Sequence, residues 1–189
     1  MILGKVKIRM VVVALVAILL TVMSQSTIAF FTVTGNSSNV VTSGTVQMVI
    51  REQVGGNSTV PDEGIYIMPG DTVAKRLWIE SDCNQPFYVR VKLVYGVDSD
   101  ELSAEECLSL NINPQNWEYH DGWYYYTGIV EPGGKTPNVY SEILIVGEVM
   151  DNSYLGKTLS LSVIAQGVQS KNNPLSGGKT YTAAGWPAE

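Results

Sequence analysis

Apolar residues recur along most of this chain in short alternating bursts rather than at helical spacing, the period-2 signature of half-buried strands. Val46, Met48 and Ile50 alternate with Thr45 and Gln47, and Ile65 and Ile67 flank Tyr66. The clearest burst runs from Phe87 to Tyr95: Phe87, Val89, Val91, Leu93 and Tyr95 share one face, with Arg90 and Lys92 on the other. Leu159, Leu161, Val163 and Ala165 alternate with Ser160 and Ser162 in the same way. Further strands are predicted over Val73 to Glu80, Trp117 to Thr127, Val139 to Val149, and near Val33. Turn chemistry separates the bursts, as at Gly55-Gly56-Asn57, Pro69-Gly70-Asp71, Pro132-Gly133-Gly134 and Asp151-Asn152-Ser153. One helix is predicted between Ser99 and Leu108, where Ser103 can cap Ala104 to Cys107. Roughly eight or nine strands at this spacing predict an all-β fold, a jelly-roll-like antiparallel β-sandwich.

The first residues break the pattern. Lys5, Lys7 and Arg9 form a basic stretch, and Met10 to Met23 then runs apolar with only Thr21 interrupting. That run is shorter than the ~20 residues a spanning helix needs, and Ser24, Gln25, Ser26 and Thr27 follow it, as in a secretory signal peptide. An uncleaved membrane anchor is the alternative. Thr27 and Ala29 supply small residues for cleavage between Ala29 and Phe30, with Ser24 and Ser26 as earlier alternatives. The expected organisation is a signal helix over 1–29 and a single β-sandwich domain over 30–189, with the membrane involved only through the signal segment before cleavage.

Composition sharpens this picture. The 189 residues are 45% hydrophobic and 16% charged, too apolar for a disordered chain. The net charge of −6 disfavours nucleic acid as the main partner. Three of the 12 basic residues lie in the leader and none of the 18 acidic ones do, so the exported chain is more acidic still. The C-terminal stretch from Tyr181 to Glu189 is polar, so covalent wall anchoring through a hydrophobic sorting tail is not expected.

Several phrases in order carry more specific information. Thr27-Ile28-Ala29-Phe30-Phe31-Thr32 leads to Asn39-Val40-Val41-Thr42-Ser43-Gly44-Thr45-Val46-Gln47-Met48, then Met68-Pro69-Gly70-Asp71-Thr72-Val73-Ala74-Lys75 and Phe87-Tyr88-Val89-Arg90-Val91-Lys92. Asn116-Trp117, Asp121-Gly122-Trp123-Tyr124-Tyr125-Tyr126, Glu131-Pro132-Gly133-Gly134-Lys135-Thr136 and Ala165-Gln166-Gly167-Val168-Gln169 follow. Together with the signal peptide, this set resembles the TasA and camelysin family of Gram-positive bacteria. The resemblance implies a jelly-roll protein cut by a SipW-type signal peptidase and secreted to the cell surface or extracellular matrix. In several members such a protein is a subunit of biofilm matrix fibres, so the implied partners are further copies or a related matrix protein. An open sandwich has edge strands whose free N–H and C=O groups can accept a strand from a neighbour. The new N-terminus, Phe30, Phe31, Thr32, Val33 and Thr34, is the candidate donor strand; folding back into its own sheet is the alternative.

The candidate chemistry is weaker. Camelysin-like members are described as metallopeptidases, yet a zinc peptidase commonly needs two His one helical turn apart with a Glu between them. This chain has one His, His120, within Glu118-Tyr119-His120-Asp121, so peptidase activity is a secondary reading. No nucleophile elbow points to a serine hydrolase, and no cofactor is called for. Asp98, Asp100, Glu101, Glu105 and Glu106 offer oxygens to Ca²⁺ without the spacing of an EF-hand loop, and read as a solvated acidic loop. The aromatic run of Trp117, Tyr119, Trp123, Tyr124, Tyr125 and Tyr126 suggests a glycan platform or core packing. Alternation assigns Trp123 and Tyr125 to the core with Trp117 and Tyr119, leaving Tyr124 and Tyr126 outward. Cys83 and Cys107 are a candidate disulfide, which would constrain the unfolded chain by about 3.5 kcal/mol, with buried free thiols the alternative.

Overall fold

The computed structural model describes residues 31–38, 46–56, 65–99 and 101–187. The stretch expected to be a signal segment, including Ala29 and Phe30 at the candidate cleavage point, lies outside them. The described strands are β1 (Phe31–Ser38), β2 (Met48–Val54), β3 (Ile65–Ile67), β4 (Thr72–Val73), β5 (Lys75–Ser81), β6 (Phe87–Val97), β7 (Leu108–Leu110), β8 (Trp117–His120), β9 (Trp123–Tyr126), β10 (Ile143–Ile145) and β11 (Thr158–Gln169). Among the described residues the only helical turns are three short 3-10 segments, so the described part of the chain is all-β.

A six-stranded sheet runs in the order β3-β1-β11-β6-β9-β8, beside a three-stranded sheet β4-β10-β7 and a two-stranded sheet β2-β5. Every pairing recorded among these strands is antiparallel except β1 with β11. The longest ladder joins β6 and β11 from Leu159↔Val97 to Gln169↔Phe87. Its register is set by the alternation read from sequence. Phe87, Val89 and Val91 on β6, and Leu159, Leu161, Val163 and Ala165 on β11, are fully buried on one face.

That face meets Met48 and Ile50 of β2, Leu77 and Ile79 of β5, and Ile143 and Ile145 of β10 in one apolar cluster that joins all three sheets. Burying a side chain of this size stabilises by ~1.5–3 kcal/mol, so the cluster is the main source of cohesion. Gly167 makes room for it: a Cβ there would stand 2.8 Å from Val46 Cγ1 and 3.2 Å from Phe87 Cδ2.

Two expectations fail locally. The segment predicted helical between Ser99 and Leu108 forms turns, with Cys107 N–H donating to the Ala104 carbonyl, and then enters β7. Ala104, Cys107 and Leu108 are buried together, so an irregular path serves the core where a helix was expected. The stretch Val139 to Val149 contributes only Ile143–Ile145 as strand, while Val139 and Tyr140 reach the core from a loop.

Candidate functional site

The residues proposed as a donor strand, Phe31, Thr32, Val33 and Thr34, lie in β1. Thr32 to Ser38 pair in parallel with Thr158 to Ile164 of β11, and Phe31, Thr32 and Val33 pair antiparallel with Ile67, Tyr66 and Ile65 of β3. The first described strand is thus inserted between two strands of its own sheet, the fold-back arrangement. Without β1, the β11 edge would lack its partner over seven residues. On the outer side of this strip, β3 is three residues long, and Tyr66 and Met68 are exposed.

A second stretch of sheet edge borders open space. β9 pairs with β6 only at Arg90 and Val91, because the β8–β9 hairpin turns back at Asp121-Gly122. Beyond that point β6 runs along a groove of about 830 Å³ lined by Leu93, Tyr95, Leu102, Glu105, Tyr119 and Tyr124. Burial, with Tyr124 and Glu105 nearby, pushes the Tyr95 phenol up to about 12.

The aromatic run divides between two faces in a way that simple alternation misassigns. Asp121 and Gly122 both have positive φ, 47° and 80°, as a two-residue hairpin turn of primed type requires. The turn sets Trp117 opposite Tyr126, Tyr119 opposite Tyr124 and His120 opposite Trp123. Trp117 and Tyr126 therefore pack at 5.6 Å between ring centroids on the core side, whereas Tyr119, expected in the core, is 62% exposed and covers Tyr124 from outside at 5.0 Å. Tyr124 and Tyr126 are not the outward pair expected of a sugar platform. Trp123 and Tyr125, expected with Trp117, occupy the opposite face.

On that opposite face the C-terminal segment folds back over β6, β8 and β9. Arg90 is 6% exposed, and its guanidinium lies 4.1 Å from the Trp123 ring centroid and 5.0 Å from that of Trp186. Its Nε and Nη2 donate to Gln166 Oε1 at 2.9 and 2.6 Å, Nη1 to the Tyr125 hydroxyl at 2.9 Å, and Nη2 to the Pro187 carbonyl at 2.9 Å. All three acceptors are neutral. Tyr181 stacks on His120 at 4.1 Å, Trp186 Nε1 donates to the Thr180 carbonyl, and Lys179 bridges both oxygens of Glu118 at 2.9 and 3.0 Å. The segment is a strap held by aromatic stacking around one buried cation.

His120 is thus a stacking partner of Tyr181 with Asp121 Oδ2 3.2 Å from its Nε2. Among the described residues no group of three or more His, Cys, Asp or Glu is placed to hold a metal. In the acidic loop, Asp98 Oδ1 accepts from the Thr158 N–H at 3.0 Å, fixing the end of the β6–β11 ladder; Asp100 lies outside the described residues. Cys83 and Cys107 are free thiols. Each points at a nearby carbonyl, Cys83 Sγ at Gln85 O (3.1 Å) and Cys107 Sγ at Ser103 O (3.2 Å), and burial pushes the Cys107 thiol up.

These features define a fold that is all-β over the described residues, in which β1 completes a sheet and residues 175–187 strap it. No protein-family model, curated protein or solved structure matches the chain.

Proposed function

We propose that this is an exported structural protein, a subunit or accessory of extracellular matrix or surface fibres. In this reading it is a jelly-roll-like sandwich released by a SipW-type signal peptidase, and it assembles through edge-strand pairing of the strand freed at Phe30. One observation carries the reading: β1 is inserted between β3 and β11, and its parallel pairing follows no hairpin, so a β1 from another copy can make the same hydrogen bonds. Such an exchange keeps every native contact and changes only which chain supplies the strand, a low-cost route to assembly. Heterologous repetition of it gives an open filament rather than a closed ring when the rotation between copies does not close.

Electron microscopy tests this with purified protein beginning at Phe30, beside a version lacking Phe30 to Thr34. Filaments from the first and none from the second are expected. Monomers from both, or filaments from both, overturn strand exchange. Uncleaved protein that still forms filaments overturns the coupling of cleavage to assembly.

A further inference from the structure

The inner face of the β2–β5 sheet ends in three polar side chains that the assembly reading does not use. Glu52 stands opposite Leu77, and Lys75 opposite Val54, so Glu52 and Lys75 are diagonal neighbours on the face that carries Ile50, Leu77 and Ile79. On its other side Leu77 bridges Tyr140, which aligns Glu52, Leu77 and Tyr140 in one row across the sheet. The side chains of Lys75 and Glu52 are 1% and 9% exposed, and Tyr140 is 1% exposed.

Lys75 Nζ lies 3.3 Å from Glu52 Oε1, close enough for an ion pair, yet its geometry does not make a hydrogen bond. Among the described residues, Nζ, Oε1 and the Tyr140 hydroxyl have no hydrogen-bond partner. A buried ion pair offsets its desolvation only when its remaining protons and lone pairs are satisfied, and here they are not. Joining the two groups covalently removes both charges and with them that cost. Burial pushes the Tyr140 phenol well above its usual range, so the pocket also contains a phenol O–H.

We propose that Glu52 and Lys75 condense to an internal amide that closes the β2–β5 pair covalently. The Nζ lone pair attacks Glu52 Cδ, a C–N bond forms, and the C–O bond of the carboxylic acid breaks. The departing oxygen leaves as water with one proton from the acid and one from the amine, and nothing is oxidised or reduced. The amide removes both buried charges, and the apolar surroundings keep out the water that would reverse the reaction. In a chain whose two cysteines are free, this supplies a cross-link without an oxidant. The inference is independent of the fibre reading.

The sequence makes the test direct. No Lys or Arg lies between Glu52 and Lys75, so trypsin releases this stretch as one fragment, and Glu63 lies within it. In a map of the denatured wild-type protein, the fragment from Glu52 to Arg76 is expected uncleaved after Lys75 and lighter by one water. After a second cut at Glu63 its two halves stay joined. Lys75→Met gives the full mass and halves that separate. A wild-type fragment of full mass cleaved after Lys75, or a water loss whose halves separate at Glu63, overturns the proposal. The wild-type map decides the matter even if the variant does not fold.

Discussion

Replacing Arg90 by Met is the most direct probe of the strap, because it keeps an unbranched apolar stem while removing the cation that the strap encloses. The change strands Gln166 Oε1 and the Pro187 carbonyl, each of which loses its guanidinium donor. An acceptor left unsatisfied in a buried site costs ~1–3 kcal/mol. Loss of the cation–π contact with Trp123 adds about 1 kcal/mol, and relief from burying a cation offsets part of the total. A net destabilisation of about 2–4 kcal/mol is expected, which at a urea slope of ~2 kcal/mol/M lowers the unfolding midpoint by about 1–2 M. Urea unfolding followed by tryptophan fluorescence reads this well, since Trp123 and Trp186 flank the guanidinium. Arg90→Lys retains the charge but not the planar fork that serves Gln166 twice, and is expected to lose about half as much. Hydrogen exchange in residues 175–187 should quicken in both variants. A midpoint within experimental error of wild type, or unchanged exchange in the strap, would refute the view that a neutral-acceptor cage around Arg90 holds this segment down.

Three further outcomes follow from particular contacts. Gly167→Ala should cost about 1–3 kcal/mol in urea unfolding, because its Cβ meets Val46 and Phe87 in the core, whereas Gly96→Ala meets only the movable Ser160 hydroxyl and should cost under about 1 kcal/mol. A thiol reagent added to native protein should label Cys83 first and reach buried Cys107 only on unfolding; protein that takes no label even when unfolded would instead have its cysteines bonded to each other. Burial pushes the Tyr95 phenol up to about 12 and that of Tyr140 well above its usual value. The folded state therefore keeps protons that the unfolded chain releases near pH 10, so stability is intact below about pH 10 and falls as pH rises from there towards 12. Tyr95→Phe should flatten that fall between about pH 10 and 12, and an unchanged slope would assign it to other groups.

The strands that alternation reveals best are those flanked on one side by core and on the other by polar surface, as with Leu159 to Ala165 in β11. The β8–β9 hairpin was harder to read because its parity depends on the turn. With two residues between the strands, odd positions of β8 face even positions of β9, so following parity straight through Asp121-Gly122 puts Trp123 and Tyr125 on the wrong face. The Asp-Gly pair was visible in the sequence and carries this information. The Ser99 to Leu108 segment misled for a different reason: its capping residues suit a helix, but Ala104 and Cys107 are drawn into the core from turns, and tertiary packing overrides local preference.

The two buried cations mark where pattern reading stops. Lys75 has the parity of Leu77 and Ile79, so alternation alone sends it inward, and only its charge argues against that placement. What lets it stay is Glu52, whose position opposite Leu77 appears only once β2 and β5 are paired in register. Arg90 lies on the solvent face of β6 by the same alternation, and it is buried because an irregular C-terminal segment, without periodicity to betray it, covers that face. Both cases have one physical origin. A cation inside an all-β fold depends on partners supplied by distant segments, and their meeting is a property of the topology. The same holds for β1: its β-propensity is evident in Phe31 to Val33, but its parallel place beside β11 comes from the far end of the chain. A strand held only by such distant pairing, with no hairpin tying it to either neighbour, is the strand whose place a second copy can take.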